Sequence, residues 1–198
     1  MRRLMIPILL LIAALPSYGQ HPWELGESET LWRQRYGNCD YGMFVQLPDG
    51  VVGHGTLPPA PNHGITVRLP DVHSTAELRI EKENRYIWIN AEYNASDDSS
   101  IKGTAEYYAD VFVRDRHGKV TKHSTNLASL PATRLKVAYK SGNELVIEEL
   151  VIAQRAGIVY EIGLRTNGQS YAEDCRRFEQ LMSGFGLSEL PKGECSNG

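Results

Sequence analysis

Short motifs that mark common hydrolases and metalloenzymes are missing from this 198-residue sequence. It contains no GxSxG motif, which presents the serine nucleophile of α/β-hydrolases on a sharp turn. Its six histidines include no pair four residues apart, the spacing that lets one helix face bind zinc. Because catalytic groups can also be dispersed along a chain, these absences disfavour an enzyme without excluding one.

Long apolar runs are also missing, except for one at the N-terminus, residues 4–15. This run is shorter than the ~20 residues of a membrane-spanning helix. Arg2 and Arg3 precede it, and the small residues around Gly19 follow it, which is the layout of a secretory signal peptide. We expect cleavage after Gly19, which leaves no stable membrane span. An uncleaved N-terminal anchor is the alternative.

An excess of positive charge is absent as well. The formal net charge is −3, and loss of residues 1–19 removes Arg2 and Arg3 but no acidic residue, which gives −5. A mildly acidic chain is a poor candidate for nucleic-acid binding. The chain is 41% hydrophobic and 23% charged, which is typical of a folded globular protein, and its length suits one domain.

Cysteine is scarce, with only Cys39, Cys175 and Cys195 in the chain. Export would place them in an oxidising compartment, where three cysteines leave one thiol over. Cys175 falls on the apolar face of a predicted helix and would pack there as a small hydrophobic group. We therefore expect a Cys39–Cys195 disulfide that holds the C-terminal tail, with Cys39–Cys175 as the alternative. No cationic motif beside any of them indicates catalysis.

The chain is predicted to have four parts: a signal peptide (1–19), a loosely ordered lead-in (20–38), one domain (39–190) and a polar tail (191–198). Hydrophobic periodicity and turn residues place the elements of the domain. The predicted strands are 39–47, 63–72, 85–93, 120–127, 132–139, 145–153, 158–165 and 185–187. A first helix begins after Ser99 or Ser100 and stops at His117-Gly118, and a second spans 171–183. Residues 51–63 are predicted to be irregular because Gly and Pro recur there.

This order of elements predicts an α+β fold with a largely antiparallel sheet. In the strand at 85–93, Ile87 and Ile89 point to one face, while Tyr86 and Trp88 point to the other. Apolar residues on both sides of a strand indicate a sheet that is covered on both faces.

The C-terminal third carries a more specific pattern. A Gly is followed by a Tyr-containing strand, then by a helix with an acidic start and a Phe-Glu pair, and finally by a short Ser-Phe-like ending. These positions are Gly157, Tyr160, Asp174, Phe178, Glu179, Ser183 and Phe185. The pattern resembles the PsbP-like fold superfamily, which includes the PsbP proteins of photosystem II, DcrB-like envelope proteins and Ran-binding proteins of the Mog type. The resemblance spans roughly residues 41–187. It implies an α/β/α sandwich and a mostly non-catalytic role in binding or stabilising partners.

One segment, GHGTLPPAPNHG at 53–64, lies outside that pattern. Its prolines stiffen the chain, and its glycines permit positive φ or close backbone approach. His54 and His63 flank it, so a rigid loop that uses both imidazoles on a metal or an anion is one interpretation. A crossover loop whose polar side chains bond its own backbone is the other. The candidate binding loop comprises Gly53, His54, Gly55, Asn62, His63 and Gly64. A zinc site would need a third ligand, for which His73, His117 and His123 are available.

Two carboxylate pairs and several aromatic residues are given structural roles. Glu148 and Glu149 are adjacent in a strand and should point to opposite faces. Asp97 and Asp98 precede a helix, where negative charge is favourable. We expect the aromatic residues of the strands and helices to lie in the core. These are Tyr86, Trp88, Tyr93, Tyr107, Tyr108 and Tyr160.

The sequence favours a secreted or periplasmic binding protein that acts without a cofactor. Its partner would be an unknown protein or small ligand in the cell envelope, not nucleic acid. The alternative is an envelope hydrolase or metal-dependent enzyme, which requires His54 and His63 to converge with a third polar group. A structural stabiliser without a discrete site is a third possibility.

Overall fold

The computed structural model describes residues 31–55, 63–69, 85–93 and 100–189. The predicted signal peptide, the predicted tail, Asn62, His73 and the Asp97-Asp98 pair lie outside these residues. The strands in this part of the chain are β1 (Leu31–Arg33), β2 (Arg35–Asn38), β3 (Met43–Gln46), β4 (Val52–Gly55), β5 (Gly64–Arg68), β6 (Tyr86–Tyr93), β7 (Lys119–Leu127), β8 (Leu130–Ser141), β9 (Glu144–Arg155), β10 (Ile158–Asn167) and β11 (Phe185–Leu187). The helices are α1 (Ile101–Arg116) and α2 (Tyr171–Gly184).

Eight of these strands form one sheet in the order β1-β4-β5-β6-β10-β9-β8-β7, and every neighbouring pair in it is antiparallel. A second sheet has the order β11-β3-β2 and is also antiparallel. This confirms the predicted α+β class with an antiparallel sheet. No helix in the described residues is long and apolar enough to cross a membrane.

The two helices cover opposite faces of the eight-stranded sheet. Alternate residues of β10, such as Tyr160 and Ile162, share a core with Phe178 of α2 and with the small sheet. Val159, which points the other way, shares a second core with Phe112 of α1. The central strands are therefore buried on both faces, as the apolar pattern of 85–93 predicts. The molecule has three layers: α1, the large sheet, and α2 with the small sheet.

The β9–β10 hairpin is the longest predicted feature that the structure confirms. Ile158 pairs with Arg155, and the register continues to Asn167 opposite Val146. Ala156 and Gly157 both have positive φ, 52° and 79°, the conformation of a two-residue turn whose twist suits antiparallel strands. The apolar pattern of the two strands and the Ala156-Gly157 turn both predict a hairpin here, so the sequence identifies it clearly.

Helix α1 begins and ends where predicted, but a different residue forms its C-terminal cap. The Ser100 hydroxyl accepts a hydrogen bond from the Gly103 N–H at 3.0 Å, which caps the helix N-terminus. The left-handed residue at the C-terminus is His117, with φ 52°, and not the Gly118 that the sequence favours for this position. Gly118 is needed for space, because a Cβ there would lie 2.4 Å from a Val137 methyl.

Two segments predicted to lack regular structure form strands. The last part of the predicted lead-in forms β1 and β2, where Tyr36 and Asn38 point inward and Trp32 packs edge-on against Tyr36. Residues 52–55 form β4, which pairs with β1 and β5. Gly53 suits this strand because a Cβ there would lie 2.8 Å from an Ile65 methyl. Close packing, which a single sequence does not reveal, overrides the low strand propensity of glycine.

The inward face of α2 is rotated from the predicted one. The sequence predicts a face of Tyr171, Cys175, Phe178 and Met182, but the fully buried residues are Asp174, Phe178 and Leu181. Cys175 is only half-buried and is a free thiol. An aspartate takes the interior position because a buried hydroxyl and a guanidinium meet it there, as described below.

Candidate functional site

The predicted binding loop is the connection of the β4–β5 hairpin. Gly53, His54 and Gly55 belong to β4, His63 precedes β5, and Gly64 is its first residue. The backbone N–H of Ala91 donates to the His63 carbonyl at 2.8 Å, which fixes the exit of the loop to β6. Gly64 lies so close to β6 that a Cβ would stand 1.8 Å from the Ile89 carbonyl oxygen. The ends of the loop are therefore held firmly.

The structure does not bring His54 and His63 together. His54 is 1% exposed and pairs across the sheet with Thr66, on the face that α1 covers. His63 lies on the other face, with its ring centroid 5.5 Å from that of Tyr41. Convergence of these two histidines is the condition for the predicted metal-dependent or hydrolytic site, and the register of β4 and β5 separates them.

The other histidines do not complete a metal site in the described residues. His117 ends α1, and His123 is exposed on the edge strand β7. No group of three or more His, Cys, Asp or Glu side chains that could hold a metal ion occurs in residues 31–55, 63–69, 85–93 and 100–189.

A cluster of aromatic rings lies beside the exit of the loop. Tyr41 packs against Tyr93 with ring centroids 5.6 Å apart, and its hydroxyl lies 3.4 Å from His63 Nε2. Tyr93 is 67% exposed although it is held by this contact. We call Tyr41, His63 and Tyr93 the aromatic patch. The sequence predicts Tyr93 and Tyr107 in the core, but both are exposed, because Tyr93 is the last residue of β6 and Tyr107 lies outside the buried face of α1.

Glu149 organises a polar network between the sheet and α2. It is 1% exposed and accepts hydrogen bonds from Tyr171 and Arg134, with Lys136 Nζ at 3.3 Å. Burial alone would raise the pKa of Glu149, but the Tyr171 hydroxyl and the two cations outweigh it and lower the pKa. Arg134 also pairs with Glu179 at 2.6 Å. The network stays charged and fastens α2 to β8 and β9.

Glu148 makes an equivalent network on the opposite face. Its Oε1 accepts from Tyr139 at 2.6 Å and from Arg165 at 2.5 Å, and Arg116 lies at 3.4 Å. Arg116 is the last residue of α1, so this carboxylate attaches the end of that helix to the sheet. The opposite orientations predicted for Glu148 and Glu149 are therefore confirmed, and each carboxylate has a structural role.

A third buried carboxylate, Asp174, lies in the first turn of α2. Its carboxylate accepts two hydrogen bonds from the Arg85 guanidinium and one from the Thr166 hydroxyl. These polar clusters of the described residues consist of carboxylates paired with cations and hydroxyls. In each of them the carboxylate is held by at least one cation, so these contacts attach elements of the fold to one another.

A cleft opens in the described part of the chain between α2 and the β3–β4 connection. Its volume is about 180 Å³, below the ~300–1,000 Å³ of ordinary small-molecule sites. The lining residues are Pro48, Asp49, Val51, Val67, Arg177, Gln180 and Leu181. This cleft has no direct contact with the predicted loop residues.

The state of Cys175 rules out one of the two predicted disulfide pairings. Cys175 is a free thiol whose Sγ lies 3.9 Å from Arg134 Nη2, which excludes the Cys39–Cys175 alternative. Cys195, the partner that the sequence favours for Cys39, lies outside the described residues.

Comparison with known proteins identifies the fold. No family model matches the sequence, and no curated protein matches it significantly. The structure is similar to cyanobacterial PsbP (CyanoP) from Synechocystis sp. PCC 6803, with a TM-score of 0.54, 12% identity and coverage of 89% of this chain and 98% of that one.

Two further solved structures show the same similarity. LpqN of Mycobacterium tuberculosis, described as involved in cell envelope biogenesis, matches with a TM-score of 0.52 and 12% identity over 81% of this chain and 92% of that one. The Ran-binding protein Mog1p of Saccharomyces cerevisiae matches with a TM-score of 0.51 and 11% identity over 80% and 96%. The chain therefore has the PsbP/Mog1-like fold that its C-terminal pattern predicts, and this level of identity defines the fold alone.

Proposed function

We propose that this chain is an exported, non-enzymatic accessory protein of the cell envelope that binds a protein partner. The binding surface is the aromatic patch, which includes His63 at the exit of the predicted binding loop. The observation that carries the proposal is the state of Tyr93, whose ring is two-thirds exposed yet held against Tyr41. A rigid, exposed aromatic ring is the kind of side chain that supplies binding energy at protein interfaces.

The geometry of the patch supports a protein partner over a small ligand. The ring of Tyr41 is 7% exposed and supports both Tyr93 and His63, so the patch needs little ordering when a partner binds. The nearby loop end is fixed through the His63 carbonyl. The cleft of the described residues is small for a ligand site, and its lining includes no residue of the patch.

The similar proteins add support for this class of function. The name of Mog1p states that it binds Ran, and LpqN is described as involved in cell envelope biogenesis. Our proposal takes protein binding from the description of Mog1p and the envelope location from that of LpqN, and applies both to the present chain. The predicted signal peptide supports the location, because residues 1–19 would direct the chain out of the cytoplasm.

A disulfide between Cys39 and Cys195 completes the proposal. Cys39 lies in the turn whose Gly42 carbonyl accepts the Ser188 N–H at 3.0 Å, so the C-terminal segment departs beside this turn. Six residues lie between Ser188 and Cys195, enough chain to span ~20 Å or to fold back. An oxidising compartment would allow the bond to form.

Site-specific photo-crosslinking tests the binding surface. A photoreactive phenylalanine analogue is placed at position 93 or, as a matched control, at Tyr107, which is 57% exposed on α1. We expect a discrete adduct in native envelopes from position 93 and none from position 107. Tyr93→Ala should weaken capture of the identified partner at least tenfold, whereas Tyr107→Ala should leave it unchanged. Identical adducts from both positions, or none from either, would refute the proposed surface.

A further inference from the structure

The middle of helix α1 is attached to the sheet through one tyrosine hydroxyl. The Tyr108 hydroxyl lies 2.8 Å from Glu92 Oε1 on β6 and also makes a hydrogen bond to Glu161 Oε1 on the neighbouring strand β10. Glu161 is only 6% exposed. The indole N–H of Trp88 donates to the same carboxyl group, and its ring covers Gly163, where a Cβ would lie 1.9 Å from it.

The number of protons in this cluster follows from its geometry. A tyrosine hydroxyl has one hydrogen to donate and otherwise accepts. It therefore donates to one carboxylate only, while the second carboxyl oxygen at hydrogen-bond distance must carry its own proton and donate to the phenol oxygen. A chain from Glu161 O–H through Tyr108 O–H to the Glu92 carboxylate satisfies every group. If both carboxylates were ionised, one of them would face the lone pairs of the Tyr108 oxygen with no hydrogen between the two oxygens.

Among the described residues, no cation faces Glu161 in place of that proton. On the same face of β9, the residues beside Glu161 are Leu150, Ile152 and Gln154, none of them charged. The charged residues of α1 nearest to Tyr108, Glu106 and Asp110, are exposed and acidic.

The nearest basic side chain on this face of β10 is Arg165. It lies four residues away, or ~13 Å along the strand, and is paired with Glu148. In the described part of the chain, the titratable groups that face Glu161 are therefore Glu92 from β6 and Tyr108 from α1.

We propose that Glu92 and Glu161 hold one carboxyl proton between them, in addition to the hydroxyl proton of Tyr108. This carboxyl proton fastens α1 to the sheet, and its loss loosens the helix. The cluster would act as a pH-sensitive attachment built into the fold. This inference is independent of the proposed binding surface, because the cluster faces α1 whereas the aromatic patch lies on the face covered by α2.

The acid–base properties of Glu161 agree with this arrangement. Burial raises the pKa of Glu161 to about 7, and the negative charge of Glu92 adds to the rise. An acid whose pKa is higher in the folded chain than its ordinary 4.5 stabilises the fold fully below pH 4.5. That contribution declines as the pH rises through about 7. The attachment is therefore tight in mild acid and weaker above neutrality.

A carboxyl-carbon NMR titration measures the proton directly. One glutamate of the purified protein should titrate near pH 7, and Glu161→Gln should remove that signal. Glu92→Gln should move the midpoint to lower pH, because it removes the neighbouring negative charge. Glu106→Gln, which deletes an exposed carboxylate of α1, should leave the midpoint unchanged. A spectrum in which every glutamate titrates below pH 5.5 would overturn the proposal.

Hydrogen exchange tests the consequence for the helix. After correction for intrinsic rates, we expect α1 amides to lose protection about tenfold between pH 5.5 and pH 8. The neutral amide of Glu161→Gln should remove this dependence, whereas Glu106→Gln should keep it. If α1 protection in the wild type does not change over this range, or changes equally in Glu161→Gln, helix attachment is not proton-linked. Should Glu161→Gln fail to fold, Glu92→Gln decides the matter through the shifted midpoint.

Discussion

The guanidinium of Arg85 donates two hydrogen bonds to the carboxylate of Asp174, with Nη2 2.6 Å from Oδ1 and Nε 2.8 Å from Oδ2. Arg85 immediately precedes β6, and Asp174 lies in the first turn of α2, so this contact joins segments 89 residues apart. Thr166 donates its hydroxyl to the same carboxylate from the end of β10. Asp174 is 1% exposed, so each of its contacts replaces lost hydration.

Asp174→Ala should destabilise the protein strongly, because it leaves the Arg85 guanidinium and the Thr166 hydroxyl without their acceptor. Removal of one partner from a buried ion pair costs about 3 kcal/mol or more. The matched control is Glu173→Ala, which removes an exposed carboxylate from the same helical turn and should cost about 0.5 kcal/mol. Chemical denaturation of both variants measures the difference, and equal losses would show that the Asp174 contacts contribute little.

The pH dependence of stability should reveal Glu149, with a sign opposite to that of Glu161. The pKa of Glu149 is lowered in the folded chain, so its stabilising effect is present above its ordinary pKa of 4.5 and is lost as the pH falls below it. Glu149→Gln should therefore be less stable than the wild type at pH 7, and the gap should narrow toward pH 3. Denaturation midpoints across this range test the expectation.

Glu179→Gln is the control for that experiment. Glu179 also contacts Arg134, at 2.6 Å, but its side chain is 49% exposed. An exposed ion pair contributes about 1 kcal/mol at most, so this variant should behave like the wild type at both ends of the pH range. A gap for Glu149→Gln that stays constant with pH would mean that folding does not lower the pKa of Glu149.

The sequence reveals the parts of the fold that local patterns encode. In the β9–β10 hairpin, Ala156-Gly157 marks the turn, and in α1 Ser100 marks the start, so the predicted bounds lie close to the observed ones. Strands β1, β2 and β4 are not predicted, because residues 20–38 show no clear hydrophobic period and Gly and Pro recur in residues 51–63. Their pairing partners, not their own sequences, make them strands.

The candidate sites were harder to predict from the sequence than the fold, because they too depend on contacts between residues far apart in the chain. His54 and His63 flank the loop symmetrically in sequence, but strand alternation sends them to opposite faces once residues 52–55 pair as a strand. The contacts of Glu161 with Tyr108, 53 residues away, and of Asp174 with Arg85 follow no local spacing. One available signal was the central position of Glu161 in an otherwise apolar strand.

Gly64 should be among the least replaceable residues of the predicted loop. A Cβ at this position would lie 1.8 Å from the Ile89 carbonyl oxygen, so Gly64→Ala must separate β5 from β6. We expect a loss of about 3 kcal/mol or more, as for other forced overpacking of a core. Gly37→Ala is the control, since a Cβ at that position in β2 would have no other atom within 4 Å. That variant should be neutral or slightly stabilising. Equal thermal midpoints for the two variants would contradict the close approach of β5 and β6.

The proposed Cys39–Cys195 disulfide predicts a distinct peptide. Protein exported to an oxidising compartment should yield, after digestion without reductant, a cross-linked peptide that contains Cys39 and Cys195, while Cys175 reacts with a thiol reagent after unfolding. Reduction should lower the thermal midpoint, since removal of a native disulfide that closes a long loop costs roughly 2–5 kcal/mol. Cys175→Ser is the control, because a free thiol contributes no cross-link, and its midpoint should respond to reductant as the wild type does. A linear Cys39 peptide from exported protein would refute the pairing and would leave the tail untethered beside the Gly42 turn.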